Sequence, residues 1–316
     1  MNPITVLGLF DGMSCGQLAL QRAGIPVKKY YSSEIDKYAI ATTMKNFPNT
    51  IQLGDILALT ADELPHIDLL IGGSPCQSFS VAGNGSGFDG KSKLFFEFVR
   101  LLKQLKPKYF LLENVKMKGE WRDIITDILG VAPIEINSKL LSGQHRRRNY
   151  WTNIPGITQP DDLGITLSSL LESLPEPGDQ NYGERLAGNG KSILLESTDF
   201  PYTFYETRTE AGKAERRRLR KLLGRDTTPR GAKYKIYLPL RTDKSNCIVA
   251  TPSQLDYIVD NQGNYRKLFI NELEKLQTLP VNYTEGVSDA QRRKMIGNGW
   301  TVSIIQHIFS FIPIIK

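Results

Sequence analysis

Apolar and polar positions alternate with two different periods along the first half of the chain. Short apolar runs predict buried strands, and the segments between them, with apolar residues on one face, predict helices. The helical pattern is clearest over residues 37–46 and 92–105. Strands that alternate with helices indicate an α/β fold with a parallel sheet and right-handed crossovers. The strands are expected at residues 4–9, 30–33, 68–71 and 109–112.

The regular pattern weakens after Trp151. From about residue 157 to residue 244 the chain is rich in Gly, Pro, Thr and charge, and strands no longer alternate with helices. Helical periodicity returns at residues 267–279 and 302–311, so the last segments are expected to rejoin the first domain. The predicted boundaries are 1–156 with 265–316 for the first domain and 157–264 for a smaller inserted domain.

Composition excludes several classes of protein. Hydrophobic residues make up 40% of the chain and charged residues 23%, as in ordinary globular proteins. No apolar run is long enough to span a bilayer, and the first residues lack a signal-peptide pattern, so we expect neither membrane association nor secretion. Cys15, Cys76 and Cys247 lie far apart and only three histidines accompany them, so we expect no disulfide framework and no metal site.

The net charge of +7 is concentrated in one stretch. Residues 208–244 contain 13 Lys and Arg against four Asp and Glu, a surplus of nine, so the rest of the chain is slightly acidic. A basic island of this kind favours a polyanionic partner. The alternative is a solvated helix face, which is the commonest role of a charge run.

Glycine and acidic residues follow the predicted strands, where open α/β sheets bind their ligands. Phe10-Asp11-Gly12 begins a glycine-rich turn whose backbone N–H groups can face a ligand. The spacing differs from G-x-G-x-x-G, which disfavours a nicotinamide-dependent oxidoreductase. Glu34 is placed to bind ribose hydroxyls and Asp55 to lie near a base, although each alone is more often a helix cap. Together they predict a pocket for a nucleoside-bearing small molecule.

A cysteine follows the strand at residues 68–71. Gly72-Gly73-Ser74-Pro75 leads into Cys76, which places the thiol at the C-terminal end of that strand. Glu113 ends the neighbouring strand and is expected to face the same crevice. A thiol beside a carboxyl group indicates covalent attack on a substrate that is protonated elsewhere. The alternative is that Cys76 is a small buried apolar residue.

Alternating polar residues occupy the stretch from Gln144 to Arg148. In a strand, Gln144, Arg146 and Arg148 point to one side, where they can face the same crevice. The alternative is an exposed basic strand.

These motifs, taken in order, resemble those of the DNA (cytosine-5) methyltransferase family. Each is weak alone, but the ordered set covers about two-thirds of the chain. Residues 92–115 are similar to the eukaryotic de novo branch, yet without regulatory domains we expect a bacterial or phage enzyme, acting in the cytoplasm of the cell. Gly299-Trp300 stands where many members have Ser-Val. The matching segments are Phe10–Gly16, Gly73–Gln77, Glu113–Val115, Gln144–Arg148, Arg266–Leu279 and Gly297–Trp300.

The resemblance implies a Rossmann-like S-adenosylmethionine-dependent methyltransferase sheet with an inserted target-recognition domain. It implies S-adenosylmethionine as methyl donor and no metal. Cys76 would attack C6 of a flipped cytosine, Glu113 would hold the N3 edge and Arg148 would contact O2, while Arg146 would brace the loop or a phosphate. Cys15 and Cys247 are expected to be structural. The implied cofactor-binding residues are Phe10, Asp11, Gly12, Glu34, Asp55, Ile56, Pro75, Asn298 and Trp300.

The implied partner is double-stranded DNA, with no obligatory protein partner. The glycine-rich residues 78–90 are predicted to close over the flipped base. Methylation of tRNA cytosine and an inactive DNA-binding relative remain as alternative functions. The predicted DNA-binding residues are Gln77, Ser80, Arg216, Arg217, Arg218, Arg220, Arg230 and Lys233.

Overall fold

The computed structural model of the protein describes most of the predicted catalytic domain and parts of the insertion. Cys76, Gln77, Ser80, Arg230 and Lys233 lie outside the described residues, as do residues 78–90. The described residues are 2–75, 94–174, 192–193, 201–223, 235–240, 242–250, 257–260 and 264–313.

A seven-stranded sheet forms the centre of the fold, in the order β3-β2-β1-β4-β5-β7-β6. Its apolar runs lie where the sequence predicts strands, with ends shifted by a few residues. Glu113 consequently lies within its strand rather than after it. The strands are β1 (Ile4–Leu9), β2 (Val27–Ser33), β3 (Ile51–Gln52), β4 (Leu69–Gly72), β5 (Tyr109–Val115), β6 (Ile134–Asn137) and β7 (Arg147–Thr152).

The sheet is mixed, so the prediction of a parallel sheet is only partly right. Strands β1 to β5 pair in parallel, but β7 is antiparallel to both β5 and β6. The physical reason is the connection: β6 and β7 are joined by the short segment 138–146, which contains no helix long enough for a parallel crossover. Strand β7 then inserts between β5 and β6, and this brings Arg148 opposite Val115.

Helices cover both faces of the sheet, and alternation along the strands divides the core. On β1, Val6 packs with the helices of one face and Leu7 with those of the other. Helices α1, α6, α7 and α8 supply the first face, while α3 and α4 supply the second. The helices are α1 (Cys15–Arg22), α2 (Lys37–Asn46), α3 (Leu94–Leu105), α4 (Gly119–Leu129), α5 (Glu210–Leu223), α6 (Ile270–Leu276), α7 (Asp289–Asn298) and α8 (Val302–Phe309).

The described parts of the insertion contain a second small sheet and a hairpin. Strand β10 (Lys235–Pro239) lies between β8 (Ser192–Ile193) and β9 (Phe204–Arg208), and β11 (Tyr257–Val259) pairs with β12 (Tyr265–Lys267). Helix α5 follows β9. Ile248 and Ile258 are buried in the hydrophobic core on one face of the large sheet. The inner part of the insertion therefore packs on the large sheet, while the exact domain boundaries remain a prediction.

Candidate active site

One cavity of about 400 Å³ lies at the C-terminal ends of β1, β4 and β5. Its lining includes Met13, Cys15 and Ala39 from the segments that follow β1 and β2, and Asn114 and Val115 from β5. Asp55 and Ile56 are not among the lining residues. The predicted residues that do line it are Phe10, Asp11, Gly12, Glu34, Pro75, Glu113, Arg146, Arg148, Asn298 and Trp300.

The turn after β1 takes a backbone conformation that few side chains adopt. Phe10, Gly12 and Ser14 have φ angles of 54°, 58° and 57°. These left-handed residues fold the chain tightly around Asp11, so the turn and the start of α1 border the cavity. The non-glycine residues are held in this conformation by the contacts that Asp11 makes.

Asp11 accepts hydrogen bonds from three hydroxyl groups. Its carboxylate is 2.6 Å from the Tyr30 hydroxyl and 2.9 Å from Ser32 Oγ, and Ser14 Oγ donates to it as well. Burial raises the pKa of Asp11 to about 6, because these neutral donors only partly offset the loss of water. The carboxyl group thus ties the turn to β2.

Glu34 joins the same turn to the start of α2. Its Oε2 accepts from the Gly12 backbone N–H at 2.8 Å, and its Oε1 accepts from the N–H groups of Ile35 and Asp36, each at 2.8 Å. A carboxylate offers about four acceptor positions, so about one stays open toward the cavity. Glu34 can therefore accept a ligand hydroxyl while it orders the loop.

Asp55 and Ile56 lie beside the cavity rather than in its wall. The Asp55 carboxylate accepts from the Leu57 backbone N–H at 3.0 Å and begins a short 3₁₀ turn, and Ile56 is buried in the core. The cap that the sequence allowed as an alternative is therefore present. Their contact with a cofactor remains a prediction.

Glu113 marks the other end of the cavity. It is 8% exposed, and one of its carboxylate oxygens is in an ion pair while the other accepts a hydrogen bond. Arg148 Nε lies 3.0 Å from Oε1, and the indole nitrogen of Trp300 donates to Oε2 at 3.0 Å. A guanidinium beside a buried carboxylate compensates much of its lost hydration. The hydrogen bond from Trp300 to Glu113 was not predicted from the sequence.

Asn114 is a site residue that sequence reasoning missed. Its Nδ2 donates to the Ser74 carbonyl at 3.2 Å and lies 3.1 Å from Ser74 Oγ. These bonds fix the end of β4 just before Pro75, and the next residue along the chain is Cys76. The available signal was its place beside Glu113 in the segment Glu113–Val115, which matches a motif of the family.

Arg146 is a buried clamp. Its guanidinium donates to the carbonyls of Ile248 at 2.9 Å, Gly297 at 3.2 Å and Gly299 at 2.8 Å, and the residue is 3% exposed. Of the two roles predicted for it, these contacts correspond to bracing the loop. Gln144 is buried too, while Arg147 is exposed, so the alternative of an exposed basic strand is wrong.

The two described cysteines have different surroundings. Burial raises the pKa of Cys15 to about 12, which agrees with a structural role. Cys247 Sγ lies 3.4 Å from Arg146 Nη1 and 3.8 Å from Arg148 Nη2. Burial acts to raise the pKa of Cys247, but the two guanidinium groups outweigh it and lower the pKa below the usual value.

Helix α5 carries the basic cluster of the insertion. Arg217 and Arg218 are exposed. The Arg218 guanidinium forms a bidentate ion pair with the Glu215 carboxylate, with N–O distances of 2.7 and 2.9 Å. Arg216 is partly buried, and Arg220 lies on the same helix. Their contact with DNA remains a prediction. Within the described residues no His, Cys, Asp and Glu side chains converge in a group that could hold a metal, and no described helix has the length and apolarity of a bilayer span.

The sequence matches the family model described as C-5 cytosine-specific DNA methylase over residues 4–120 and 173–313, more than half of the chain. The chain belongs to this family. The type II methyltransferase M1.ScrFI of Lactococcus lactis subsp. cremoris is 31% identical over 318 residues, which cover 96% of this chain and 76% of that protein. The family that the ordered motifs predicted is confirmed.

Two other similarities show how far the family likeness extends. The orphan methyltransferase M.SPRI of Bacillus phage SPR is 37% identical over 164 residues, which cover 48% of this chain and only 37% of the phage protein. The solved structure of Entamoeba histolytica methyltransferase EhMeth has a TM-score of 0.65 at 15% identity and covers 99% of this chain and 98% of that one. The fold is therefore that of a solved methyltransferase, and the predicted α/β class is confirmed.

Proposed function

We propose that the protein transfers a methyl group from S-adenosylmethionine to C5 of a cytosine in double-stranded DNA. The observation that carries the proposal is the continuity of one cavity. Glu34 and the Asp11 turn form one end, and the Glu113–Arg148 pair forms the other, within the same walls. A donor and an acceptor molecule can therefore meet inside it. The names of the relatives, a type II and an orphan methyltransferase, support methyl transfer.

The donor end of the cavity suits a nucleoside with an amino-acid tail. Its volume falls in the range typical of small-molecule sites. Glu34 accepts a ribose hydroxyl at its open acceptor position, and Phe10, Gly12 and Asn298 border the same space. S-adenosylmethionine bound there supplies an electrophilic methyl group. The residues present fit this donor, and its reaction requires no metal.

The acceptor end provides what cytosine chemistry needs. C5 is a poor nucleophile while the ring is aromatic, so a thiolate must first add to C6. We assign this addition to Cys76, because Pro75, the residue before it, lines the cavity. Glu113 holds the N3 edge while negative charge develops there, and Arg148 contacts O2. C5 then takes the methyl group, with S-adenosylhomocysteine as the leaving group. Loss of the C5 proton to water, with elimination of the Cys76 thiolate from C6, restores the aromatic ring and releases 5-methylcytosine.

Duplex DNA hides C5 and C6 within the base stack, so the target nucleotide is flipped out, at a cost of about a few kcal/mol. The basic insertion supplies charge for the phosphates, with exposed Arg217 and Arg218 on α5 as the described candidates. This region is linked to the cavity wall through one short segment: Asn246 donates its backbone N–H to Oγ1 of Thr203, the residue before β9, and the next residue, Cys247, lies 3.4 Å from Nη1 of Arg146, which lines the cavity. Protection of DNA by a restriction-modification or orphan phage system fits this function.

Expression in a host without DNA methylation, followed by genome-wide mapping of 5-methylcytosine, tests the proposal. We expect modification at one short sequence, and none with Cys76→Ser. Methylation by that variant would show that Cys76 is not the nucleophile. The purified protein should also transfer tritiated methyl groups to duplex DNA and not to tRNA. Transfer to tRNA alone would assign the protein to RNA, and transfer to neither would leave it as an inactive relative.

A further inference from the structure

The carboxylate of Glu113 is held from two sides by parts of the chain that are far apart in sequence. Arg148, on β7, engages Oε1, and the Trp300 indole, in the loop between α7 and α8, engages Oε2 at 3.0 Å. The second contact joins residues that are 187 positions apart. The sequence predicted Trp300 as a cofactor-binding residue, but its one polar atom is directed to the carboxylate.

Two glycines make room for this indole. A Cβ on Gly73 would lie 2.9 Å from Trp300 Nε1 and 3.1 Å from Glu113 Oε2, and a Cβ on Gly16 would lie 3.3 Å from Trp300 Cζ3. Distances of 3.0 Å and below do not occur with real Cβ atoms, so a larger residue at position 73 would push the two groups apart. Gly73, which directly follows β4, has no side chain. The indole and the carboxylate can therefore approach each other beside it.

An indole N–H is a donor only and cannot reverse its role. It therefore gives Oε2 of the Glu113 carboxylate a directional hydrogen bond, while the Arg148 guanidinium attracts Oε1 as an ion-pair partner. The indole N–H is thus the directional contact that orients the carboxyl group between its two neighbours. A group that must meet the edge of a planar base benefits from such pre-orientation.

We propose that Trp300 is a positioning residue that acts through Glu113: its indole N–H fixes the carboxyl group in the orientation that receives the target cytosine. This inference rests on the proposed function for its kinetic consequence, but the hydrogen bond itself is independent of it. Trp300 lines the cavity where the two ends meet, so the loop between α7 and α8 links the donor end to the catalytic carboxylate.

A spectroscopic test reads the hydrogen bond without any activity. The chain has three tryptophans, and Trp151 provides a matched control because its indole donates to Thr126 Oγ1 at 3.0 Å, away from the cavity. In protein labelled with ¹⁵N-tryptophan, Glu113→Ala should shift the Trp300 indole N–H resonance and leave that of Trp151 in place. Thr126→Val should shift the Trp151 indole resonance and leave that of Trp300 in place. An unmoved Trp300 resonance in Glu113→Ala overturns the proposal.

A kinetic test separates positioning from cofactor binding and from packing. Trp300→Phe keeps an aromatic ring but removes the N–H, and we expect kcat to fall about tenfold with KM for S-adenosylmethionine changed less than about twofold. In the Glu113→Ala background the same substitution should have almost no effect on kcat. Trp151→Phe, which loses a comparable bond elsewhere, should leave kcat unchanged in both backgrounds.

The alternative roles give different results. A rise in KM for S-adenosylmethionine at constant kcat would make Trp300 a cofactor-stacking residue and refute the positioning role. An equal loss of kcat with and without Glu113 would make it a packing residue. Gly73→Ala gives a second route, since it should shift the same indole resonance with Trp300 intact. If the wild-type protein methylates neither DNA nor tRNA, the proposed function is wrong. The resonance comparison still shows whether Trp300 donates a hydrogen bond to Glu113.

Discussion

The two ends of the cavity each contain a carboxyl group, and the two groups are held in opposite ways. Asp11 is surrounded by hydroxyls of Ser14, Tyr30 and Ser32, all within 21 positions of it in the chain. Glu113 is held by a guanidinium and an indole that come from other segments. Neutral local donors order a turn, whereas a cation and a distant donor hold a carboxylate ready at the surface of a cavity. The difference separates a residue that shapes the site from one that we propose to act in it.

Replacement of Glu113 should have the largest effect. Both of its neighbours are donors, and an amide has only one acceptor oxygen, so Glu113→Gln leaves either Arg148 or Trp300 facing an NH₂ group. We expect kcat for methyl transfer to fall by about 10²- to 10⁴-fold. Affinity for S-adenosylmethionine, measured by calorimetry, should change little. A variant with full activity would remove Glu113 from the mechanism.

Replacement of Arg146 should affect folding more than chemistry. The Arg146→Met variant removes the guanidinium donor from the carbonyls of Ile248, Gly297 and Gly299 in a buried place, and the Gly299 carbonyl keeps another side-chain donor, from Gln277 at 3.2 Å. We expect a loss of about 3 kcal/mol in the free energy of unfolding, measured by urea titration. Arg148→Lys, at a residue that faces the cavity, keeps a cation beside Glu113, so it should lower the free energy of unfolding less than Arg146→Met and lower the activity more. The reverse order would contradict the distinction between clamp and substrate contact.

The pH dependence of stability should identify Asp11. Its pKa of about 6 in the folded protein lies above the ordinary value of 3.8, so the folded state binds the proton more tightly than the unfolded state. The contribution is present in full below pH 3.8 and is lost as the pH rises through 6. The advantage of wild type over Asp11→Asn in unfolding free energy should therefore shrink by at most about 3 kcal/mol from pH 4 to pH 7. A constant difference would place the pKa of Asp11 near its ordinary value.

The smallest expected effect is a difference in thiol reactivity between Cys247 and Cys15. The guanidinium groups lower the pKa of Cys247, while burial raises that of Cys15 to about 12. In a Cys76→Ser background at pH 8, iodoacetamide should modify Cys247 well before Cys15, as followed by peptide mass spectrometry. Equal rates at the two positions would show that the arginines do not activate Cys247.

Much of the sheet follows from local pattern. Strand β1 and helix α2 begin and end where the periodicity of the chain predicts, because apolar spacing is set by residues within a few turns of one another. The antiparallel direction of β7 was not predicted, since strand direction depends on the connection and on which strand is its neighbour. The hydrophobic pattern of a strand is the same whether it runs parallel or antiparallel to its neighbours, so the pattern alone does not predict the direction.

The site divides in the same way. The sequence alone determined the family, the order of the motifs and the placement of Asp11, Glu34 and Glu113 beside one cavity, because each follows or ends a strand that can be recognised locally. Only the tertiary structure decided that Arg146 donates to buried carbonyl groups of distant segments and that Trp300 donates a hydrogen bond to Glu113. Those contacts join segments more than 100 positions apart, and their partners are chosen by packing of the whole fold rather than by neighbouring residues.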